Sequence, residues 1–479
     1  MAGFDILQRN MAHKLGWLCV LITTSVVVGQ TTQPTTRPTE LEWNRALWFG
    51  TYNRIGHKSS DWDASVRRAL GNEVRSWTYD NPPSGDEADN IWRNVHHALS
   101  VQCDDPELLY IAARNFASFQ GNEKQRDHLM LRAATAMEQG DYPPILKFYA
   151  FAHAAEYLAG DNVKNHDRVE HFYKAALDQL PTIAADSTIS RRRIFDAFGA
   201  WANTAKAVNG ETRAGFLQAE KIFAEHSKDE SLVYTIEGNY AVNWAWEARG
   251  GNWAYKVKSD QWPKFEERLK IAHEAIDNAY RTDPTNYLAA KVMMVVGLGE
   301  GFDRAQMDTW YHRAIANNPD AEEVASGYML NYLEPKWYGS SAEMLAFART
   351  CVASNDWDRR MPIVIVYAHE SLSRYDAPAG YGRKPQPKYF QENPTAYQEI
   401  KPVYEEYLRR YPDSFFHRER FALIAAWSGD WKEAANLFAE LGTKHSVWND
   451  AGQVKQAKAL VVQHTSSTEP ATMPANAAE

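Results

Sequence analysis

Cysteine is scarce in this chain, 3 in 479 residues. One of them, Cys19, falls inside an apolar N-terminal run, so the remainder carries Cys103 and Cys351 and can form at most one disulfide. Cys351 lies four residues after Phe347 on an apolar helical face, which predicts a buried free thiol rather than a bridge. Dense positive charge is missing as well. The net charge is -9, and the one basic cluster, Arg191-Arg192-Arg193, reads as a solvated helix face, so nucleic acid is not an expected partner. No segment alternates convincingly between polar and apolar residues, which excludes a sheet-based fold. The neighbouring histidines do not match a zinc-binding helix, since His96 and His97 are adjacent and His166 and His171 are five apart; no metal is expected. Gly297-Leu298-Gly299-Glu300-Gly301 has Phe302 where a dinucleotide fingerprint needs its last glycine, so this stretch reads as a glycine-terminated helix and no cofactor is expected.

Long hydrophobic runs are limited to one. Residues Leu15 to Val28 are apolar apart from Thr23, Thr24 and Ser25, follow His13 and Lys14, and lead to Val27 and Gly29 at the positions a signal peptidase requires. Residues 1–29 therefore read as a secretory signal peptide, with initiation at Met1 or Met11. The run is short of the ~20 residues that span a bilayer, so no stable membrane span is expected after cleavage, and the protein is expected to be exported to a periplasm, cell envelope or extracellular space. Residues 30–40 are Thr/Pro-rich and read as a linker; residues 461–479 read as a disordered tail.

Aromatic residues, by contrast, are plentiful, with 17 Trp, 24 Tyr and 19 Phe, which suits wide knobs between packed helices. Small and apolar residues recur three and four apart, as at Ala272, Ala275, Ile276 and Ala279, and Pro284 follows the end of that segment. Similar segments at Tyr173 to Pro181, Tyr311 to Pro319 and Lys432 to Gly442 make the chain an all-α stack of helical hairpins, with an N-terminal helical region at 41–230 and a C-terminal helical-repeat region at 231–460. Asp61, Asp356 and Asp430, each followed by Trp, read as caps of new helices, and Ser340 with Glu343 as a capping box. The stretch from Asp376 to Pro394 reads as a long irregular loop.

Two motifs carry a resemblance. W-E-A-R-G-G-N-W-A from Trp246 to Ala254, followed by Trp262, Phe265, Leu269 and Asp283-Pro284, and P-K-W-Y-G-S-S-A-E-M-L-A-F-A from Pro335 to Ala348, resemble a family of exported bacterial domains of unknown function that is similar to tetratricopeptide repeats. The segment Phe421 to Gly442 resembles a tetratricopeptide hairpin more directly. The likeness covers about residues 235–445 and implies an irregular α-solenoid and export; it implies no catalytic residues. Its Ala-bearing helices at Ala275, Ala314 and Ala434 depart from multiples of the ~34-residue repeat.

The residues themselves support two functions. Gly250 and Gly251 close a helix, with Arg249 as an exposed residue complementing its carboxyl end, or Arg249 joins Trp246 and Trp253 in an aromatic and cationic patch for a peptide carboxylate. Trp262, Pro335, Trp337, Gly339 and Ser340 read as structural, Trp337 as a wedge between hairpins. The expected function is an exported scaffold that binds a protein or peptide. The alternative is a secreted glycan-active enzyme on an α/α fold, with Glu247 as one of two carboxylates.

Overall fold

The computed structural model describes residues 39–78, 87–120, 123–160, 166–251, 254–318, 320–376, 384–412, 414–442 and 449–466. The expected signal peptide, nearly all of the linker, Trp253 and the end of the tail lie outside the described residues. Helix begins earlier than expected, at Glu40, because Thr39 accepts from the Glu42 amide while the Glu42 carboxylate accepts from the Thr39 amide. It also ends later: the last helix, Ala451–Ser466, carries Val461 into the core and continues over part of the segment read as tail.

Among the described residues the protein is all-α, with no strand. Helices pack chiefly on their sequence neighbours, as in the pairs Pro106–Gln120 with Glu123–Gln139, Glu230–Arg249 with Gln261–Thr282, and Phe415–Trp427 with Trp431–Leu441. Helix ends follow local chemistry. Ser340 accepts from the Glu343 amide at 3.3 Å, Asp430 accepts from the Glu433 amide at 3.2 Å, and Gly301 closes Tyr287–Glu300 with φ 77°. At Asp61 and Asp356 the expected helix starts are turns instead. The helix after Asp61 begins at Asp63, and Asn355, at φ 51°, bends the chain ahead of Trp357. The described part of the 376–394 stretch includes a short helix, Pro387–Glu392.

The apolar core forms two clusters that divide inside one helix, Glu230–Arg249: Ile236 belongs to the N-terminal cluster and Ala241 to the C-terminal one. The boundary expected between residues 230 and 231 falls at the first turn of that helix, a few residues before the division. Cys103 and Cys351 are both buried free thiols, and burial pushes each up to about 12.

The Arg191-Arg192-Arg193 cluster corrects the reading of a solvated face. Arg191 pairs with Asp229 and with Asp283, each at 2.5 Å. Arg192 is buried, donates to the Thr78 carbonyl at 2.7 Å and meets Asp320 at 3.2 Å. Arg193 lies over the Trp77 ring, 4.1 Å from its centroid, and donates to the Trp77 carbonyl. Asp320 in turn meets Arg360 at 3.4 Å. Three consecutive arginines thus join the turns of both helical regions, because acidic residues and open carbonyls from several turns converge on the start of one helix.

Candidate functional site: an aromatic and amide-lined cleft

The sequence motif around Trp246 lies on the C-terminal turns of Glu230–Arg249. Gly250 stops this helix at φ 75°, a value that needs no side chain, and its amide donates to the Trp246 carbonyl at 2.9 Å. Gly251 follows in a bend. Arg249 is only 7% exposed, which overturns the reading of an exposed helix-end residue. Its guanidinium lies 5.4 Å from the Trp246 ring centroid, 5.6 Å from that of Trp262 and 5.8 Å from that of Trp337, and donates to the Gly250 carbonyl at 3.1 Å. Burial holds its pKa below the ordinary arginine value, against the opposing effect of Tyr338.

Trp337 reaches this cage from a different part of the chain, its ring edge-on to Trp246 at 5.9 Å. Trp246 and Trp262 each also meet Phe265 edge-on, at 4.9 and 6.0 Å. The segment that carries Trp337 is held tightly. Pro335 is exposed at the turn, Tyr338 donates to the Leu298 carbonyl at 3.1 Å, and Ser340 caps the helix Ser341–Ala353. At Gly339 a Cβ would stand 2.3 Å from the Leu333 carbonyl oxygen, so only glycine fits that approach. Arg249, Trp262 and Trp337 are therefore brought together as a packing joint; Trp246 serves the joint and also faces a cleft.

That cleft encloses about 570 Å³ between the helices Arg191–Asn209 and Glu230–Arg249, within the ~300–1,000 Å³ typical of ligand sites. Phe195, Phe198, Ala202 and Lys206 from the first helix face Ile236, Tyr240, Trp244 and Glu247 from the second. In both helices the spacing of three to four residues puts these side chains on one face. Phe216 and Tyr240 stack at 4.0 Å with an interplanar angle of 10°, and Trp244 continues the stack 6.3 Å from Tyr240. Arg268 lies 3.6 Å and Arg213 4.3 Å from the Trp244 ring centroid, two cations against one indole.

Asn203, Asn239 and Asn243 add amides to the apolar wall, and Asn243 donates to the Asn239 carbonyl at 2.8 Å. Tyr240 has a buried hydroxyl without a hydrogen-bond partner, and burial pushes its pKa up to about 12. Gly199 opens the wall, since a Cβ there would meet nothing within 4 Å. Glu247 sits at one end, 3.8 Å from Lys206, with both side chains largely in solvent. Among the described residues lining the cleft it is the one carboxylate.

Of the expected patch of Trp246, Arg249 and Trp253, only Trp246 is found at a border of the cleft, beside Glu247, Gly250 and Gly251; Arg249 belongs to the packing joint, Trp253 lies outside the described residues, and the centre of the cleft was missed. The asparagines, Tyr240 and Trp244 carried a usable signal: Asn239-Tyr240 recurs as Asn243-Trp244, one amide and one aromatic every four residues on the same face. A comparison with known proteins finds no matching protein family and no matching curated relative.

Proposed function

We propose that the protein is an exported helical-repeat scaffold that binds a segment of a protein or peptide in the cleft between Arg191–Asn209 and Glu230–Arg249. The observation that carries this reading is the pairing of asparagine amides with an aromatic wall along one helix face. A side-chain amide both donates and accepts, as a peptide group does. Residues four apart on a helix are separated by about 6 Å along its axis, close to the ~6.8 Å between alternate residues of an extended chain. Asn239 and Asn243 are thus spaced to address alternate peptide units, while Tyr240, Trp244, Phe195 and Phe198 offer apolar contact to the side chains between them. Lys206 and Glu247 place both charges at one end, which suits a segment without strong net charge.

The glycan-hydrolase alternative needs two carboxylates across a substrate, and this cleft lends it Glu247 alone. The α-solenoid reading rests on the packing of each helix against the next. Export rests on the apolar run at 15–28. The mature protein is expected to begin at or near Gln30, and a secreted or periplasmic form with its first 29 residues intact by mass spectrometry would defeat that part of the proposal.

Selection from a displayed library of random linear peptides tests the binding. Enriched peptides should bind the full mature chain, and Asn239→Ala should weaken them by about fivefold, the effect of one lost hydrogen bond of ~1 kcal/mol. Gly199→Leu, which fills the open wall, should abolish binding with little change in melting temperature. Failure to enrich any peptide, or enrichment indifferent to both substitutions, refutes the proposal.

A further inference from the structure

A second cavity, of about 560 Å³, lies in the C-terminal region between the segment Glu322–Lys336, the helix Val364–Ser373 and Phe416. Its wall includes three carboxylates that are almost wholly buried: Glu322, Glu334 and Glu370 are 1, 5 and 7% exposed. Each meets a cation, although the one facing Glu322 is shared with Asp320. Glu322 meets Arg360 at 3.4 Å, Glu334 meets Lys336 at 2.5 Å, and Glu370 pairs with Arg420. Hydroxyls extend the network: Ser326 donates to Glu322 at 3.3 Å, and Ser371 donates to Glu334 at 2.6 Å. Such buried ion pairs stabilise a fold no better than well-packed apolar residues of the same volume. Their concentration on one cavity wall is better explained by recognition.

Three further features belong to the same wall. The segment Val324–Met329 is a π-helix, a widened turn that local helix energetics disfavour and that recurs at ligand sites. Within it, Gly327 faces the cavity, and a Cβ there would meet nothing within 4 Å. Glycine inside a helix costs about 1 kcal/mol relative to alanine, so an open wall at this position is kept against local preference. Finally, the Nε of Arg374, also in the wall, is buried without a hydrogen-bond partner. It is a donor in need of an acceptor.

The geometry points to a binding site for a neutral saccharide of two or three units, independent of the peptide cleft. Glu334 and Glu370 are matched by Lys336 and Arg420, and Glu322 together with Asp320 by Arg360 and Arg192, so a ligand with net charge would break a pairing that it cannot replace. Hydroxyl groups, which donate and accept, match oriented carboxylates, the Asn331 amide and the unsatisfied Arg374 donor. Tyr367 and Phe416 add aromatic side chains to the wall, the kind of apolar surface against which a sugar ring packs.

Saturation-transfer NMR on the full mature chain, with cellobiose, maltose, lactose and N,N′-diacetylchitobiose as probes, tests the site; the cation spermidine and the anion succinate are the charged comparators. At least one disaccharide should bind and neither charged probe should. Gly327→Met projects into the cavity and should weaken that binding by about tenfold or more, because small-ligand affinity depends on the concave contact it fills. The same variant should keep the wild-type melting temperature and its selected peptides, while Gly199→Leu should leave saccharide binding intact. Silence from all four sugars, binding of spermidine or succinate in their place, or a Gly327→Met protein that binds sugar normally would each overturn the assignment. Should Gly327→Met not fold, Arg374→Met, which removes the Nε donor from the wall, takes its place with the same two readings.

Discussion

Arg249 shows how a single side chain changes meaning with its surroundings. By position it belongs to the end of a helix, where a cation complements the dipole and can be removed at little cost. In the fold it is enclosed by Trp246, Trp262 and Trp337, and desolvated cation–π contact contributes about 2 kcal/mol or more. Arg249→Ala should therefore lower stability by at least that amount in urea unfolding, with Arg249→Lys intermediate, since lysine keeps the charge and loses the planar face. Trp337→Ala should cost about 3 kcal/mol, the low end for deleting a large aromatic, because the ring is only half-buried. Both residues belong to one joint, so the double variant should cost less than the two singles together. Strict additivity would show that the ring and the guanidinium act separately. The motif itself was legible in the sequence, as were its glycine stop and the Ser340 cap, because those are local. Which rings surround the guanidinium was not, since Trp337 arrives from 88 positions further along the numbering.

At the scale of the helix, Phe415–Trp427 carries a histidine that burial has disarmed. His417 is 2% exposed, lies 4.3 Å from the Tyr407 ring and 6.0 Å from that of Tyr404, and has its pKa pushed down to about 3 by burial, aided by Arg360 and Arg420. An unfolded histidine takes up a proton near pH 6.5. Between about pH 6.5 and 3 the unfolded chain binds the proton and the folded chain does not, so this contribution is complete above pH 6.5 and is lost as the pH falls. Lowering the pH from 7 to 5 should cost about 2 kcal/mol through this residue. The measurement is a series of denaturant titrations across that range, in which His417→Phe should show a shallower loss. An unchanged slope in the variant would assign the acid sensitivity to other groups. Helices as elements were readable from the three-to-four periodicity, whereas starts at Asp61 and Asp356 were misread. An acidic residue before Trp suits a turn as well as a cap, and the packing around each site decides between them.

Across the whole molecule, the two apolar clusters are joined by the Glu230–Arg249 helix and by the arginine cluster at 191–193. Asp320 is the shared partner of Arg192 and Arg360 and is itself 2% exposed. Asp320→Ala leaves Arg360 with Glu322 alone and takes from Arg192 its buried carboxylate, and should cost about 3 kcal/mol. In calorimetry the wild type should unfold in one transition that broadens or splits in the variant as the N-terminal and C-terminal clusters unfold separately; a sharp variant transition at the wild-type temperature would mean that the ion network adds nothing. The all-α character, most helix starts and stops and the free state of the thiols follow from the sequence by itself, because periodicity, capping residues and cysteine spacing act over a few residues. The tertiary structure alone decided that the arginine cluster is buried and that Arg249 is caged. It likewise decided that the aromatic cleft and the carboxylate-lined cavity exist. In each of these, side chains distant in the chain share a space from which water is excluded, and no local pattern records which residues will meet there.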